Sequence, residues 1–217
     1  MARTPVEERR SALITAALHV VAERGIAGAT TRAIVTKAGM SLASFHYAFD
    51  SRDQLLDILI AEVLANEELA VLPSRLPGTT LIELLQGGLT GYLSHLRDDP
   101  AREQAMLELT QYAIRARPEL AQRQYAQYYR LASTALELAA HHTGNRWTIP
   151  LPTAARLLIT LTDGITLAWL VDRDTAAAEA LIAAAAYSLA SLAEPLPTTG
   201  RSAAATPSAS SPASAHA

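Results

Sequence analysis

Cysteine is absent from this sequence of 217 residues, which excludes a disulfide framework, thiolate catalysis and cysteine metal ligands. Aromatic residues make up only 5% of the chain. No apolar run reaches the roughly 18 residues that a membrane span needs. The first residues, MARTP, lack the apolar core of a secretion signal. These absences predict a cytoplasmic protein that does not associate with membranes.

Sequence motifs of catalysis and cofactor binding are missing as well. The chain has no glycine-rich phosphate loop and no His-x-x-x-His or Glu-x-x-His spacing, and its six histidines are scattered. His141 and His142 are adjacent, so on a helix they point in different directions and do not form a metal site. We therefore expect no enzyme activity, no metal and no cofactor.

Half of the residues are hydrophobic and alanine is abundant, a composition that favours packed helices over sheets. Apolar positions recur at helical spacing, with Gly, Pro or Asp between the segments. No segment alternates with the period of a strand over a useful length. The pattern predicts an all-α protein of about nine helices, in which an N-terminal three-helix head precedes a C-terminal helical body. The five body helices are expected at residues 79–97, 101–116, 118–142, 152–172 and 175–193.

Composition divides the chain into four parts. Residues 1–52 form the head, residues 53–72 a linking helix, and residues 73–194 the body. Two prolines, Pro73 and Pro77, mark the junction. Residues 195–217 are rich in Pro, Ser, Ala and Thr with one charge, so they cannot bury enough apolar surface to offset their ordering entropy, and we expect a disordered tail.

Residues 30–52 are the most informative segment. Thr30 can cap a first short helix, and Gly39 can end it, because glycine tolerates the left-handed conformation that closes helices. Ser41 can cap a second helix of about two turns. Two short helices joined by a tight turn with a glycine form a helix-turn-helix, whose second helix enters the DNA major groove.

This segment and the helix before it resemble the tetracycline-repressor (TetR) family of bacterial regulators. The matching positions are residues 13–18 (LITAAL), 22–25 (AERG), Thr30, Arg32, Ile34, Ala38, Gly39, Ser41, Phe45, Phe49 and 51–56 (SRDQLL). Four departures concern DNA contact and capping. Ala33 stands where the family usually has Asp or Glu, and His46 stands where tyrosine is common. Arg52 replaces the usual lysine, and Leu42 occupies a position that is often polar. The resemblance implies a DNA-binding head and a small-molecule-binding, dimeric body.

The recognition helix and the helix starts around it supply the candidate DNA contacts. Tyr47 can donate to a phosphate or pack on a thymine methyl group. His46 lies where the family contacts phosphate, with a half-exposed histidine of no role as the alternative. Arg9 and Arg10 are expected on a solvated face or, as a lesser alternative, at the DNA backbone. The predicted DNA-binding residues are Thr30, Arg32, Leu42, Ala43, Ser44, His46, Tyr47 and Arg52.

Charge is distributed unevenly along the chain. Residues 1–52 carry seven Lys or Arg against four Asp or Glu, a net charge of +3, whereas the whole chain has a net charge of -3. A basic head on an acidic body is expected of a protein that docks one end on phosphates. The partner that this pattern favours is a double-stranded DNA operator.

A ligand cavity is predicted among the body helices. The 118–142 segment has a stripe of two tyrosines among alanines, which leaves space that leucines would fill. The 79–97 segment carries three glycines, Gly87, Gly88 and Gly91, which are unfavourable in a helix unless space or close packing requires them. Plain core packing is the alternative for each residue. The predicted ligand-binding residues are Tyr92, Met106, Leu109, Thr110, Tyr125, Tyr128 and Trp169.

The last two predicted helices offer a broad apolar face. Small residues there would let helices approach closely, and two such helices from each subunit would form a four-helix bundle, with a hairpin inside one subunit as the alternative. The expected interface residues are Leu157, Leu158, Leu161, Ile165 and Ala184. Asp163 interrupts the apolar pattern and needs a partner if it is buried, either across the interface or in a ligand.

Together these features predict a homodimeric transcriptional regulator, a repressor released from a palindromic operator by an unknown small-molecule effector. The alternative is a helical small-molecule-binding or adaptor protein whose head no longer binds DNA, because the recognition helix is rather apolar.

Overall fold

The structure is a computed structural model that describes residues 6–66 and 80–197. Within these ranges it contains nine α-helices and two short β-strands. In chain order they are α1 Val6–Gly28, α2 Thr31–Lys37, α3 Leu42–Ala48, α4 Arg52–Asn66, α5 Leu81–Asp98, α6 Pro100–Ala116, α7 Pro118–His142, β1 Asn145–Trp147, α8 Leu151–Asp172, α9 Thr175–Ala190 and β2 Ala193–Pro195. The predicted all-α architecture is confirmed. The Pro73 and Pro77 junction and the predicted end of helix 4 lie outside the described residues.

Side-chain caps fix where several helices begin. Thr30 accepts a hydrogen bond at its hydroxyl from the Ala33 amide, 3.2 Å away. Ala33 has no carboxylate to return this bond, so the cap is one-sided, as the sequence predicts. By contrast, Thr80 and Glu83 form a complete capping box at the start of α5, with each side chain bonded to the other residue's backbone.

Two glycines turn the backbone where the sequence places helix ends. Gly25 has φ 69° and ψ 173°, so α1 breaks there before one further helical turn. Gly39 has φ 64° and lies in the turn between α2 and α3. Both conformations are in the region that side chains with a Cβ rarely adopt.

The head packs around a core that continues into the body. Phe45 and Phe49 are almost fully buried among residues of α1, α2 and α4. The same continuous cluster includes Ala105, Leu109 and Ala113 from one face of α6. α6 therefore belongs to the body by sequence and to the head core by packing. The division into residues 1–52 and 73–194 stays a prediction.

The rest of the body is built from α5, α7, α8 and α9. One apolar cluster joins the start of α5 to α7, α8 and the end of α9, and a second joins α5, α8 and α9. α5 runs along α9 and α7 along α8. α5, α7 and α8, together with the side of α6 that faces away from the head, enclose a cavity.

Two short strands were not expected. β1 and β2 pair antiparallel, with Arg146 opposite Glu194 and an ion pair between these two side chains. Leu196 also donates its amide to the Gly144 carbonyl, 2.8 Å away. The predicted start of the disordered tail at residue 195 is therefore wrong, because Pro195 is part of β2. Residues 198–217 lie outside the described residues.

α8 also corrects the expectation that no segment is long and apolar enough to cross a membrane. Its 22 residues include a window with a mean hydropathy of 1.5. In the structure this helix packs along α7 and α9 as a body helix and carries Asp163 and Arg156. Only 28% of that window is buried within the bundle, and the outer side chains Leu167 and Val171 are exposed, so the helix combines a buried face with an apolar outer face.

Candidate DNA-binding face and ligand cavity

The recognition helix α3 separates its side chains as predicted. Leu42 and Tyr47 are 45% and 59% exposed, and Ala43 and His46 are exposed as well. Ser44 is half-buried, and its amide donates to the Ser41 hydroxyl, 3.2 Å away. The outer face of α3 therefore presents a short surface with apolar, imidazole and phenol groups.

Two arginines of α1 pack on this helix, which the sequence analysis did not foresee. The Arg9 guanidinium lies 5.2 Å from the centre of the Tyr47 ring. The Arg10 guanidinium lies 4.8 Å from the centre of the Phe49 ring and donates to the Ala48 carbonyl, 3.2 Å away. Stacking on aromatic faces places two positive charges beside the recognition helix. The amphipathic pattern of α1 could not predict these two contacts, because it shows only that Arg9 and Arg10 lie outside the buried face of the helix.

Two of the three guanidinium nitrogens of Arg52 are bonded to backbone carbonyl groups of the head. Its Nε donates to the Ala29 carbonyl, 2.7 Å away, and its Nη2 donates to the Ile26 carbonyl. The carbonyl groups that follow the break in α1 take up these donors. Arg52 thus holds the end of α1 against the start of α4, and its predicted phosphate contact stays a prediction. Thr30 and Arg32 are both exposed at the start of α2.

The end of α1 after Gly25 is also hydrogen-bonded to a residue of the body. The Ile26 amide donates to Glu108 of α6 with a distance of 2.8 Å to the carboxylate oxygen. A Cβ at Gly25 would lie 3.0 Å from both oxygens of that carboxylate, so the glycine permits this close approach. The Ile26 peptide is therefore bonded to the body through its N–H and to Arg52 through its carbonyl group.

A second polar link joins head and body at the α6–α7 junction. The Nε of Arg117 donates to both carboxylate oxygens of Asp57 in α4, at 3.0 and 3.2 Å. This carboxylate raises the pKa of Arg117. Two links, at Glu108 and at Arg117, thus flank the apolar contact between α6 and the head.

The body contains a cavity of about 560 Å³ bounded by α5, α6, α7 and α8. This volume lies within the range typical of small-molecule sites. Five of the seven predicted ligand-binding residues line it, namely Tyr92, Met106, Thr110, Tyr125 and Tyr128. Gly88 lines it too. A Cβ at Gly87, Gly88 or Gly91 would meet no atom within 4 Å, so none of the three glycines is needed for close packing within the subunit.

Leu109 and Trp169 were predicted wrongly. Leu109 is 1% exposed and packs in the head core, and Leu107 lines the cavity instead. Trp169 packs between α5, α8 and α9, and its indole N–H donates to the Thr175 hydroxyl, 3.2 Å away. Both helices have apolar residues on more than one face, so spacing alone could not tell which face borders the cavity.

One wall of the cavity carries a buried carboxyl group with polar neighbours. Glu103 is 8% exposed, and the Tyr92 hydroxyl donates to it at 3.4 Å. The same hydroxyl lies 2.7 Å from the Thr166 hydroxyl. Burial raises the pKa of Glu103, while His95 and Arg102 act in the opposite direction. This wall links α5, α6 and α8 through side-chain contacts.

Asp163 of α8 forms a second polar centre. The Tyr125 hydroxyl donates to its carboxylate, 3.0 Å away. Burial raises the pKa of Asp163, and the bond from Tyr125 only partly offsets that effect. Burial also raises the pKa of Tyr125, and the neighbouring carboxylate raises it further. The partner that the sequence required for Asp163 is therefore a tyrosine within the same subunit.

The outer face of α8 and α9 is apolar and exposed. Ala184 lies on this face, together with four large side chains, Leu167, Val171, Leu181 and Tyr187. Leu157 and Leu161 are half-buried. Two interface predictions are wrong for this face, because Ile165 is buried between α5 and α9 and Leu158 lines the cavity.

Two family models match the chain. Residues 13–59 match the model of bacterial regulatory proteins of the tetR family, and residues 81–194 match the C-terminal domain of BetI-type transcriptional repressors. The first match covers the helix-turn-helix and the second covers the body with its cavity. The chain belongs to the TetR family.

Relatives and solved structures agree with this assignment. The nicotine-responsive transcriptional repressor HdnoR of Paenarthrobacter nicotinovorans is 27% identical over 173 residues, which cover 78% of this chain and 88% of that protein. A TetR transcription regulator from Haloarcula marismortui has a TM-score of 0.69 at 19% identity, over 87% of this chain and 100% of that one. FadR of Bacillus subtilis in complex with stearoyl-CoA has a TM-score of 0.65 at 17% identity, over 83% and 97% of the two chains.

This TetR-family protein is a ligand-responsive, DNA-binding transcriptional regulator. Regulators of the family are generally non-enzymatic. The matches to transcriptional regulators favour a DNA-binding protein over the alternative of an adaptor without DNA-binding function.

Proposed function

We propose that this regulator is a cytoplasmic homodimeric repressor, bound to a palindromic operator in the absence of effector and released when a small molecule occupies the cavity. α6 carries the proposal, because its two faces contact the two sites. Met106 and Thr110 line the cavity, while Leu109 packs in the head core and Glu108 holds the Ile26 peptide. A shift of α6 cannot leave the head unaffected.

Operator recognition requires two recognition helices about 34–36 Å apart, one helical turn of DNA, so that each enters a major groove on the same face. Residues of α2 with its cap and of α3, all exposed except the half-buried Ser44, supply the proposed contacts, namely Thr30, Arg32, Leu42, Ala43, Ser44, His46 and Tyr47. Arg9 supports Tyr47 by stacking on its ring. We assign Arg52 to positioning of the head, since its donors are bonded to backbone carbonyl groups.

An effector shifts the equilibrium between DNA-binding and released arrangements only by its differential affinity for the two. To change the ratio of the two arrangements from 1:99 to 99:1, the effector must bind one of them about 5.5 kcal/mol more favourably than the other. Contacts from the cavity to α6 are suited to provide it, since Met106 and Thr110 move with the helix. The links at Glu108 and Arg117 would transmit the movement to α1 and α4.

The homodimer is proposed to form through the outer face of α8 and α9. Its four large apolar residues, Leu167, Val171, Leu181 and Tyr187, surround small residues such as Ala184. Two copies of this helix pair would form a four-helix bundle and cover side chains that are exposed in one subunit. Leu157 and Leu161 lie on the same helix and would contribute at its edge.

The DNA-binding proposal is tested with operators selected from the flanking genomic DNA by gel shift. Arg32→Ala should weaken binding and lower the slope of log affinity against log salt by about one unit if Arg32 contacts a phosphate. Arg123→Ala is the matched control, because Arg123 is exposed on α7 of the body. Failure to select any DNA fragment would contradict the proposal, and equal slopes for both variants would remove Arg32 from the interface.

Assembly is tested by sedimentation. Leu167→Glu should give monomers that bind the operator much more weakly, because an unpaired charge is placed in an apolar interface. Ile114→Glu is the control, since Ile114 is also exposed but lies on α6. A wild-type protein that is monomeric at micromolar concentration, or dimers that persist in Leu167→Glu, would contradict this interface.

A further inference from the structure

The outer face of α3 indicates how the bases of an operator are read. We propose that Leu42, with Ala43 beside it, recognises the operator through the 5-methyl group of thymine in the major groove. Sequence preference is then set by apolar contacts rather than by paired hydrogen bonds to one base. This inference rests on the proposed function, because it names what the recognition helix reads once it lies in a major groove.

α3 lacks the side chains that form the most selective hydrogen bonds to bases. Its seven residues, LASFHYA, include no Arg, Lys, Asn, Gln, Asp or Glu. Arg and Lys are the usual partners of guanine, Asn and Gln of adenine, and Asp and Glu of cytosine. Thymine differs from the other bases because its 5-methyl group projects into the major groove, where an apolar side chain can contact it. The composition of α3 therefore favours thymine as the base that is read directly.

Leu42 and Ala43 are placed to make this contact. They are the first two residues of α3, and the first residues of a recognition helix are those that reach the base edges. Leu42 is 45% exposed, and Ala43 is exposed as well. Contact with a thymine methyl group would remove apolar surface of both partners from water, which is favourable. A cytosine at the same position would instead bring its amino group against an apolar side chain, which is unfavourable.

The polar side chains of α3 leave the reading of bases largely to this apolar pair. Ser44 is half-buried, and its hydroxyl lies 3.0 Å from the Ser41 hydroxyl. The Tyr47 ring stacks against the Arg9 guanidinium, which lies 5.2 Å from the ring centre. Such a pair suits a phosphate, since the guanidinium and the phenol hydroxyl both donate hydrogen bonds. His46 remains as an exposed group that can form a single hydrogen bond to a base edge.

Positive charge near α3 comes from neighbouring elements. Arg10 of α1 donates to the Ala48 carbonyl of α3, and Lys37 of α2 forms an ion pair with Glu23. Arg32 is exposed at the start of α2, the helix that crosses the DNA backbone in this motif. Contacts of basic groups with phosphates raise the affinity for any sequence and weaken as salt rises. Methyl contacts depend on sequence and not on salt, so an experiment can separate the two contributions.

Uracil in place of thymine removes only the methyl group and keeps the base pair. The full-length protein is titrated with an operator selected from the flanking genomic DNA, in which thymines are replaced by uracil one position at a time. At the contacted position, the loss of one methyl contact should weaken binding by about 4-fold in one half-site, and by about 15-fold when both half-sites are changed. Uracil in DNA that flanks the protected region is the control and should leave the affinity unchanged.

Salt provides a second readout of the same contact. Binding is measured by fluorescence anisotropy at about 50 and about 200 mM salt. The affinity for every operator should fall at the higher concentration, because phosphate contacts weaken. The ratio between the affinities for the thymine and uracil operators should stay the same, because an apolar contact involves no counterions.

Leu42→Ala identifies the side chain that meets the methyl group. The melting temperature should stay unchanged, because Leu42 is exposed. The variant should bind the thymine operator more weakly than wild type does, and its affinities for the thymine and uracil operators should agree within about 2-fold. Ile114→Ala is the matched control, because Ile114 is an aliphatic residue of α6 that is 53% exposed. This control should retain the full effect of uracil.

Three results would overturn the inference. If uracil weakens binding at no position of a bound operator, no methyl group is read, although the DNA-binding proposal stands. An equal effect of uracil in wild type and in Leu42→Ala would assign that effect to the shape or flexibility of the DNA. An effect of uracil that disappears at the higher salt concentration would assign it to phosphate contacts. Failure to bind any DNA fragment would contradict the proposed function itself, and this inference with it.

Discussion

The two faces of α6 differ in a way that separates folding from regulation. The face toward the head presents Ala105, Leu109 and Ala113, all at most 1% exposed, to the head core, where α6 packs along α1. The opposite face presents Met106 and Thr110 to a cavity of about 560 Å³. A filled face fixes position, whereas an unfilled face can gain contacts when a ligand enters. α6 therefore connects a closely packed interface with the head to a cavity in which a ligand can form new contacts.

The largest effect is expected in the head core. Phe45→Ala should destabilise the protein by roughly 3–5 kcal/mol, because a fully buried ring is lost and its place cannot collapse completely. Tyr47→Ala, two residues along on the exposed face of α3, should change stability by less than about 0.5 kcal/mol. Denaturant unfolding monitored by circular dichroism measures both. Similar losses in the two variants would show that the faces of α3 are not separated as described.

The comparison of the two faces of α6 is tested directly with a pair of substitutions. Leu109→Ala should cost about 2–5 kcal/mol, because it opens a cavity in a packed core. Met106→Ala should cost clearly less, because its side chain already borders empty space and only part of its contacts are lost. The same unfolding experiment applies. A larger loss for Met106→Ala would contradict the description of the cavity face as loosely packed.

Substitutions that enlarge a side chain test the cavity in the opposite direction. Ala135→Leu should leave the melting temperature almost unchanged, since Ala135 lines the cavity. Ala186→Leu should cost about 1–3 kcal/mol by overpacking, because Ala186 is fully buried in the core of the body. Differential scanning calorimetry compares the two. A marked drop for Ala135→Leu would mean that this part of the cavity is closed in solution.

The smallest effect concerns Asp163 and pH. Burial raises its pKa in the folded state, so folding favours the protonated form, and that contribution is lost as pH rises through the folded-state pKa. Asp163→Asn should therefore be more stable than wild type at neutral pH, by less than about 1 kcal/mol because the carboxyl is only partly buried. The other titratable or charged groups that border the cavity are Tyr92, His95, Arg102, Glu103, Tyr125 and Tyr128.

Melting temperatures measured between about pH 4 and pH 8 check this prediction. The gap between Asp163→Asn and wild type should close as pH falls through the pKa of Asp163. Asp172→Asn, on the same helix but exposed, should show no such gap. A gap in melting temperature that widens toward low pH would mean that folding lowers the pKa of Asp163, which would contradict the effect of burial described here.

Local chemistry allowed much of the fold to be predicted from sequence. Thr30, Gly39 and Ser41 act through hydrogen bonds or dihedral angles within a few residues, so the helix-turn-helix could be located. The buried positions of Phe45 and Phe49 also follow from helical spacing. β1 and β2 were missed because each has only three residues, too few to show a period, and their pairing joins distant segments.

The candidate site was harder to predict, because it depends on which apolar face of a helix meets which neighbour. Leu109 and Met106 are both apolar, yet only Met106 borders the cavity. Ile165 and Trp169 were misplaced for the same reason on α8, which is apolar on several sides. The bonds from Arg52 to the carbonyl groups of residues 26 and 29 could not be foreseen, because they depend on the break in α1 at Gly25.

The pairing of β1 with β2 fixes the position of residues 193–195 and therefore the point from which a fused protein would extend. Residue 196 is bonded to Gly144, which follows the last turn of α7. Near the other end of α7, Ala121 packs in the head core, and a helix of 25 residues is roughly 37 Å long. A fluorescent protein or affinity tag fused directly after residue 197 is thus tethered at the end of α7 remote from the head. Such a fusion leaves the recognition helices accessible and suits single-molecule recording of operator release.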